Sequence, residues 1–492
     1  MKLEWSIKDF MPKKEDIMKK ISRRHFLAAG TAGFSTLAFT GLLPATLQGS
    51  ADAYEYMPPA NFPHSKEREV ANDTIAKAPG PQILKLRESV YMATGYALTN
   101  MIMIETKEGL VIVDTMETLT GAAKVMAEFR KATDKPVKYV IYTHNHGDHF
   151  RGTKACYGDG VKVIAHSRFM EEVKLQEVRG KSGFIRSGAM FAINQPWKDR
   201  TSMAFDYPAP YKSQLNWDQL KPGDIIWPTD TFTNRHTIRL GGITFELIHA
   251  PGETPDQIIV GIPEYGTVCC ADNFYASFPN LYTIRGTSPR PVLDWAGAQD
   301  RALAFEPHIL LPGHGLPIEG RETIKTVLTN YRDAIRHVHD QTLKALSEFM
   351  SPEAAIAAAA LPPNLANLPY LKERYGYIPY CVRSIYDSYV GWFDGNPVNL
   401  SPLTPKELGA EILTIAGSAD RILAHAEKAQ RAGRHQAALE LCEMVLENDP
   451  GNRAARLMKI TSLLGLSNLS ENFPTANYYK VFAGIEGMKV KG

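Results

Sequence analysis

The sequence predicts an α/β domain followed by an all-α helical domain. Two observations carry this. Short β-branched and apolar runs, bounded by Gly and Pro turns, alternate with a segment of helical period up to about residue 320. From Arg321 onward a 3.6-residue period takes over. In chain order, "VYMATGYALTNMIMIETKEGLVIVDT" from Val90 reads as consecutive strands, broken at Gly95 and at the turn 107–109. Ala, Val, Met and Phe at helical spacing then mark a helix from Leu119 to about Ala132. "VKYVIYTH" and "VKVIAHS" (161–167) are the next strands. Residues 168–235 have no clear period and many Gly, Pro and aromatic residues, so long loops and short helices are expected there. Strands return in "HTIRLGGITFELIHA" and "QIIVGIPEYGTVCCAD", with turns at 241–242 and 263–266, and in "HILLPGHG" (308–315). The α/β unit is accordingly 86–320 and the helical unit 321–492, with an extended arm, rich in Pro, Ala and charge, at 54–85.

Composition narrows the function. Among 492 residues, 44% are apolar and 22% charged, which is ordinary for a globular protein. A net charge of +2 gives no electrostatic case for a nucleic-acid partner. The five cysteines, Cys156, Cys269, Cys270, Cys381 and Cys442, include no CxxC pair, so neither a disulfide framework nor a thiolate metal site is expected. The N-terminus has the layout of an export signal: Arg23 and Arg24, then an apolar Gly/Ala-rich run, then Ala51 and Ala53 flanking Asp52. The paired arginines before Phe26 and Leu27 resemble a twin-arginine signal. A cleaved signal at 1–53, the twin-arginine export machinery as a partner and a periplasmic location are the expectation.

The chemistry concentrates in "YTHNHGDHF", which sets three histidines and an aspartate in the six positions 144–149. One closed metal site needs about four protein ligands. His144 and His146, two apart on an extended segment, can face one way, and Asp148 and His149 follow across a turn at Gly147. Two ligand pairs displaced along one loop suit two metals about 3.5–4 Å apart. Three polar residues elsewhere follow buried runs and are framed by Gly, Pro or Asn: Glu253 in "APGETPDQ", Asp272 in "CCADN" and His314 in "LPGHG". Strand ends are where open α/β sheets bind ligands. The expected set is His144, His146 and Glu253 for one metal, Asp148, His149 and His314 for the other, and Asp272 bridging. His166, His249 and His308 are read as structural, pocket or surface residues.

In order and spacing, "THNHGDH", "APGETPDQ", "ADN" and "PGHG" resemble the metallo-β-lactamase superfamily. That resemblance implies an αββα sandwich with a dinuclear zinc site, two Zn2+ ions activating a bridging hydroxide. A glutamate at 253, where most members have histidine, is similar to the alkylsulfatase branch; that branch usually has glutamate where Asp272 stands, and aspartate is the commoner choice in the superfamily. "NLYTIRG" (280–286) resembles a segment holding the sulfate-binding arginine, here Arg285. "SIYDSYVGWFDGNPVNLSPL" (384–403) resembles the signature of the alkylsulfatase dimerisation domain. The resemblance runs from about residue 85 to 485 and does not extend to the sterol-carrier-like third domain typical of alkylsulfatases. It implies hydrolysis of a small anionic ester, an alkyl sulfate, with Asp148, Asp272 and Arg285 in catalytic roles and a homodimer formed through the C-terminal helices. Attack at carbon and attack at sulfur both stay open. A lactone, β-lactam or thioester hydrolase is the alternative; a scaffold protein ranks below it. The later helices, punctuated by "AGR" and "DPGN", resemble a tetratricopeptide hairpin, but fewer than two repeats are present. A solenoid needs about three, so these helices are expected to pack on the first domain or on a second copy.

Overall fold

A computed structural model describes residues 81–192 and 224–491. The expected signal, nearly all of the arm and 193–223 lie outside the described residues. Strand β1 (Gln82–Arg87) starts within the segment read as an arm and pairs antiparallel with β2 (Val90–Thr94). The first sheet continues in sequence order through β3 (Met101–Glu105), β4 (Leu110–Val113), β5 (Val137–Ile141), β6 (Lys162–His166) and β7 (Asp230–Phe232). It is antiparallel up to β4 and parallel from β4 to β7. The second sheet, of six strands, contains β8 (Arg235–Leu240), β9 (Ile243–His249), β10 (Ile258–Ile262), β11 (Thr267–Ala271), β12 (Ile309–Pro312) and β13 (Ile318–Glu319). Gly241 and Gly242, with φ of 55° and 86°, make the tight turn that joins β8 to β9.

The two sheets face each other across an apolar core. It includes Ile102, Val111, Ile141 and Ile164 from the first and Phe245, Leu247, Val260 and Leu311 from the second. The outer face of the first sheet is covered by α1 (Leu119–Phe129), by Phe150 of the one-turn helix α2 (Gly147–Phe150) and by Phe169 at the start of α3 (Phe169–Val178). On the outer face of the second sheet lies a cluster holding Trp295 of α5 (Val292–Leu303) and Leu328, Tyr331 and Ile335 of α6 (Arg321–Ser347). Between α3 and α5 in sequence lies α4 (Gly180–Met190). The layers run helix, sheet, sheet, helix. Strands β2 and β4 are buried along their length, because each is covered on both faces, and so they read as apolar runs without alternation.

The rest of the described chain is helical: α7 (Pro352–Ala358), α8 (Pro363–Ala366), α9 (Ile378–Val390), α10 (Pro405–Ala416), α11 (Ala419–Arg431), α12 (His435–Asn448), α13 (Arg453–Leu469) and α14 (Phe473–Lys491). Their ends are written in the sequence. Thr404 and Glu407 form a reciprocal capping box before α10, and Gly417, at φ 82°, closes it. Helix α14 meets the first domain: Val481 joins Ala189 and Ala192 in one cluster, and Asn477 Nδ2 donates to Met190 O at 3.0 Å. That contact supplies the packing partner that an incomplete repeat requires. All five cysteines are buried and unpaired, and no helix among the described residues is long and apolar enough to cross a membrane.

Candidate metal centre

All seven sequence-derived ligands meet at one edge of the sandwich. His144 and His146 follow β5, and α2 presents Asp148 and His149. Strands β9, β11 and β12 run in one direction, since β10 is antiparallel to β9 and β11 while β11 and β12 are parallel. Their C-terminal ends therefore share an edge, and the loops that follow carry Glu253, Asp272 and His314.

The donor atoms form two groups. His144 Nε2 lies 3.0 Å from His146 Nδ1 and 3.6 Å from Asp272 Oδ2, and Glu253 Oε1 lies 3.9 Å from His146 Nδ1. His149 Nε2 lies 3.5 Å from Asp148 Oδ2 and 3.4 Å from Asp272 Oδ2. His314 Nε2 lies 3.5 Å and 3.3 Å from the same two oxygens. Ligands held at 2.0–2.1 Å around a tetrahedral ion are about 3.3 Å apart, so these spacings fit two metal half-sites. Asp272 Oδ2 lies within 3.6 Å of a histidine nitrogen in each group. His149 Nε2 and Asp272 Oδ1 are buried without a hydrogen bond, a costly arrangement that a cation relieves. Imidazole and carboxylate donors of this kind suit a divalent metal ion; zinc, iron and manganese all accept such sets.

Outer contacts orient the ligands. Asp114 Oδ2 pairs with His149 Nδ1 at 2.7 Å, and Asp114 also accepts from Thr143 N at 2.9 Å and Thr143 Oγ1 at 2.8 Å. His314 Nδ1 contacts Leu98 O at 2.8 Å, and Leu98 N donates to both oxygens of Glu117 at 3.0 and 3.2 Å. Thr99 Oγ1 donates to Asp148 Oδ2 at 2.9 Å. The loop after β2 thus fixes much of the second half-site, leaving each ring nitrogen that faces the centre available to a metal. Gly313 permits the close packing: any side chain there would collide with Asp272 Oδ1 and His149. Sequence reasoning does not single out Asp114, Thr99, Glu117 or Arg290. Asp114 carries the same signal as the named ligands, a polar residue ending an apolar strand.

Electrostatics divide the site. Burial holds His144 and His146 well below the ordinary histidine range, so both imidazoles are neutral. Burial also opposes charge on His149 and His314, but carboxylates win. Asp272, Asp114 and Asp148 raise His149 well above the usual value, and Asp272 leads in raising His314 to about 9. Burial pushes Glu117 up to about 7. Arg285 reaches the first half-site, with Nη2 2.9 Å from His146 Nε2. The other three histidines weighed from the sequence, His166, His249 and His308, stay outside the centre. His166 and His249 stack at 3.9 Å and contact the carbonyls of Thr233 and Pro255, and His308 lies on the surface beside Arg321.

Known proteins share this architecture. The Metallo-beta-lactamase superfamily model matches residues 95–314, and the Alkyl sulfatase dimerisation model matches 352–485. A linear primary-alkylsulfatase from a Pseudomonas species is 34% identical over 401 residues, covering 79% of this chain and 74% of that protein. The alkyl/aryl-sulfatase of Saccharomyces cerevisiae is 28% identical over 416 residues, covering 82% of this chain and 63% of the yeast protein. Among solved structures, a stereoselective inverting sec-alkylsulfatase from a Pseudomonas species superposes with a TM-score of 0.75 at 25% identity, covering 83% of this chain and 66% of that one. The chain therefore spans less than two thirds of the length of the last two relatives.

Proposed function

Because the chain belongs to the alkylsulfatase branch of the metallo-beta-lactamase superfamily, we propose that it is a metal-dependent hydrolase that converts an alkyl sulfate ester to alcohol and sulfate. His144, His146 and Glu253 would hold one Zn2+ ion, Asp148, His149 and His314 the other, and Asp272 both. When bound, the ions supply a water activated at neutral pH and positive charge near the ester.

The contact between Arg285 and His146 is the observation that carries the substrate class. A neutral imidazole that gives Nδ1 to a metal carries its proton on Nε2. Arg285 Nη2, 2.9 Å away, is also a donor. Two donors side by side need a shared acceptor, and a sulfate oxygen satisfies both while neutralising the guanidinium. Arg285 then binds the anionic group and stabilises charge on the departing sulfate. Asp148 is the most exposed of the seven residues, its side chain 15% accessible against 10% for His146 and 8% for His314. Purified protein should contain two metal equivalents and release inorganic sulfate from short alkyl sulfates. Chelation should stop the release and added zinc restore it. Turnover of a lactone, β-lactam or thioester without sulfate release would overturn this reading.

A homodimer belongs to the same proposal. Beyond α9 the chain exposes Trp392 (72%) and Val398 (75%), with Leu400 and Leu403 beside them, inside the segment matched by the dimerisation model. Contiguous apolar exposure of this kind is a mark of an association surface. The double substitution Trp392→Ser, Val398→Ser should convert a dimer to monomer in analytical ultracentrifugation. A double variant that sediments like the wild type would show that another face forms the contact.

A further inference from the structure

We propose that Arg290 is a positioning residue: it anchors one oxygen of Glu253 and balances its charge, so that a buried carboxylate can present a single oxygen to the first half-site. The inference rests on Glu253 being a metal ligand.

The geometry is specific. Arg290 is 5% exposed and Glu253 2%. Arg290 Nη1 lies 2.5 Å from Glu253 Oε2 and donates to Asn280 O at 2.6 Å. Tyr275 donates its hydroxyl to the same Oε2 at 3.2 Å, and that hydroxyl accepts from Asn280 N at 2.8 Å. Oε2 is therefore held from two directions, and Oε1 is the oxygen left facing His146 Nδ1, at 3.9 Å. An unanchored carboxylate can rotate, offer both oxygens or turn away; this one cannot.

The anchor is itself fixed. Arg290 lies just before α5, and its guanidinium sits 5.8 Å over the Trp295 ring of that helix. Trp295 Nε1 and Gln299 Nε2 donate to Asn273 O at 3.0 and 2.7 Å, and Asn273 adjoins Asp272. One helix thus frames two ligands, Glu253 through Arg290 and Asp272 through Asn273. The charges depend on each other. Arginine stays protonated, and a buried charge deprived of its partner is strongly destabilising. Arg290 Nε and Nη2 make no hydrogen bond, so Glu253 is its principal compensation.

The test is a charge exchange read by metal retention rather than by turnover. Each purified full-length variant is loaded with zinc, dialysed against graded chelator, and its metal equivalents and melting temperature are measured. Arg290→Met should weaken one of the two ions by about 10–100-fold, the usual effect of losing an outer partner of a ligand, while the other is retained. Arg290→Lys keeps the charge without the planar fork and should lose less. Glu253→His supplies a neutral ligand but leaves Arg290 uncompensated, so it should bind poorly alone. Adding Arg290→Met to it should recover both melting temperature and the ion of the first half-site. If Arg290→Met does not fold, Arg290→Lys and the double variant still decide. A folded Arg290→Met or Arg290→Lys protein holding both ions as tightly as wild type overturns the proposal. So does Glu253→His binding as well alone as with Arg290→Met. If Glu253→Gln also keeps both ions unchanged, Glu253 is not a ligand and the site assignment beneath the proposal fails instead.

Discussion

Asp272→Asn is expected to empty both half-sites at once, where loss of any other ligand weakens mainly one. Its Oδ2 faces His144 at 3.6 Å, His149 at 3.4 Å and His314 at 3.3 Å, so no other carboxylate oxygen is shared so widely. Asparagine keeps the shape but removes the charge and turns one donor position into an amide. The loss in kcat/KM should exceed the roughly 10–100-fold typical of outer partners, and metal analysis should find neither ion. A variant that retains both would remove Asp272 from the bridging position. The metal-free chain gives an independent reading. Asp272 is the leading cause of the rise of His314 to about 9. A histidine whose pKa rises on folding contributes stability that is complete below its unfolded value of about 6.5. That contribution is lost as pH climbs through about 9. The metal-free wild type should therefore lose stability across this window, and Asp272→Asn should lose much less. Equal pH slopes in denaturant melts would argue against the pairing.

The centre is legible in the sequence to the extent that its signals are local. His144, His146, Asp148 and His149 lie within one short stretch, and Glu253, Asp272 and His314 each interrupt the polarity pattern just after an apolar strand. Asp114 obeys the same rule in "VIVDT", and its positive φ of 57° shows a backbone bent to bring its carboxylate under His149. Its role is hidden only because a carboxylate that supports a ligand looks like one that is a ligand. Arg290 and Glu117 are different. Their meaning comes from partners 37 and 19 residues away (290 against 253, 117 against 98), and no periodicity or spacing encodes such pairs. Helices α3 and α4 fall where short helices are expected, but their bounds are not legible in the sequence, for another reason. Leu175, Phe184 and Ile185 are exposed, so these helices do not show a single apolar stripe. The union of α14 with α4 is likewise a long-range fact, foreseen only as the need of an incomplete repeat for a partner.

Arg285→Ala should separate recognition of the anion from the hydrolytic machinery. Arg285 is not among the ligands, and its guanidinium reaches His146 at the nitrogen turned away from the first half-site. Its removal should leave two metal equivalents and the fold in place. For an alkyl sulfate, kcat/KM should fall about 10²–10³-fold, the scale on which one preorganised donor to developing negative charge is usually missed. Lysine restores a point charge but not the two-point fork, so Arg285→Lys should recover only part of that loss. A neutral lactone of similar size offers no anionic group to the guanidinium, and any residual activity on it should change little. The ratio of the two losses therefore carries the information. If sulfate ester and lactone fall together, Arg285 acts on the metal centre as a whole, through His146, and the anion must be held by another group.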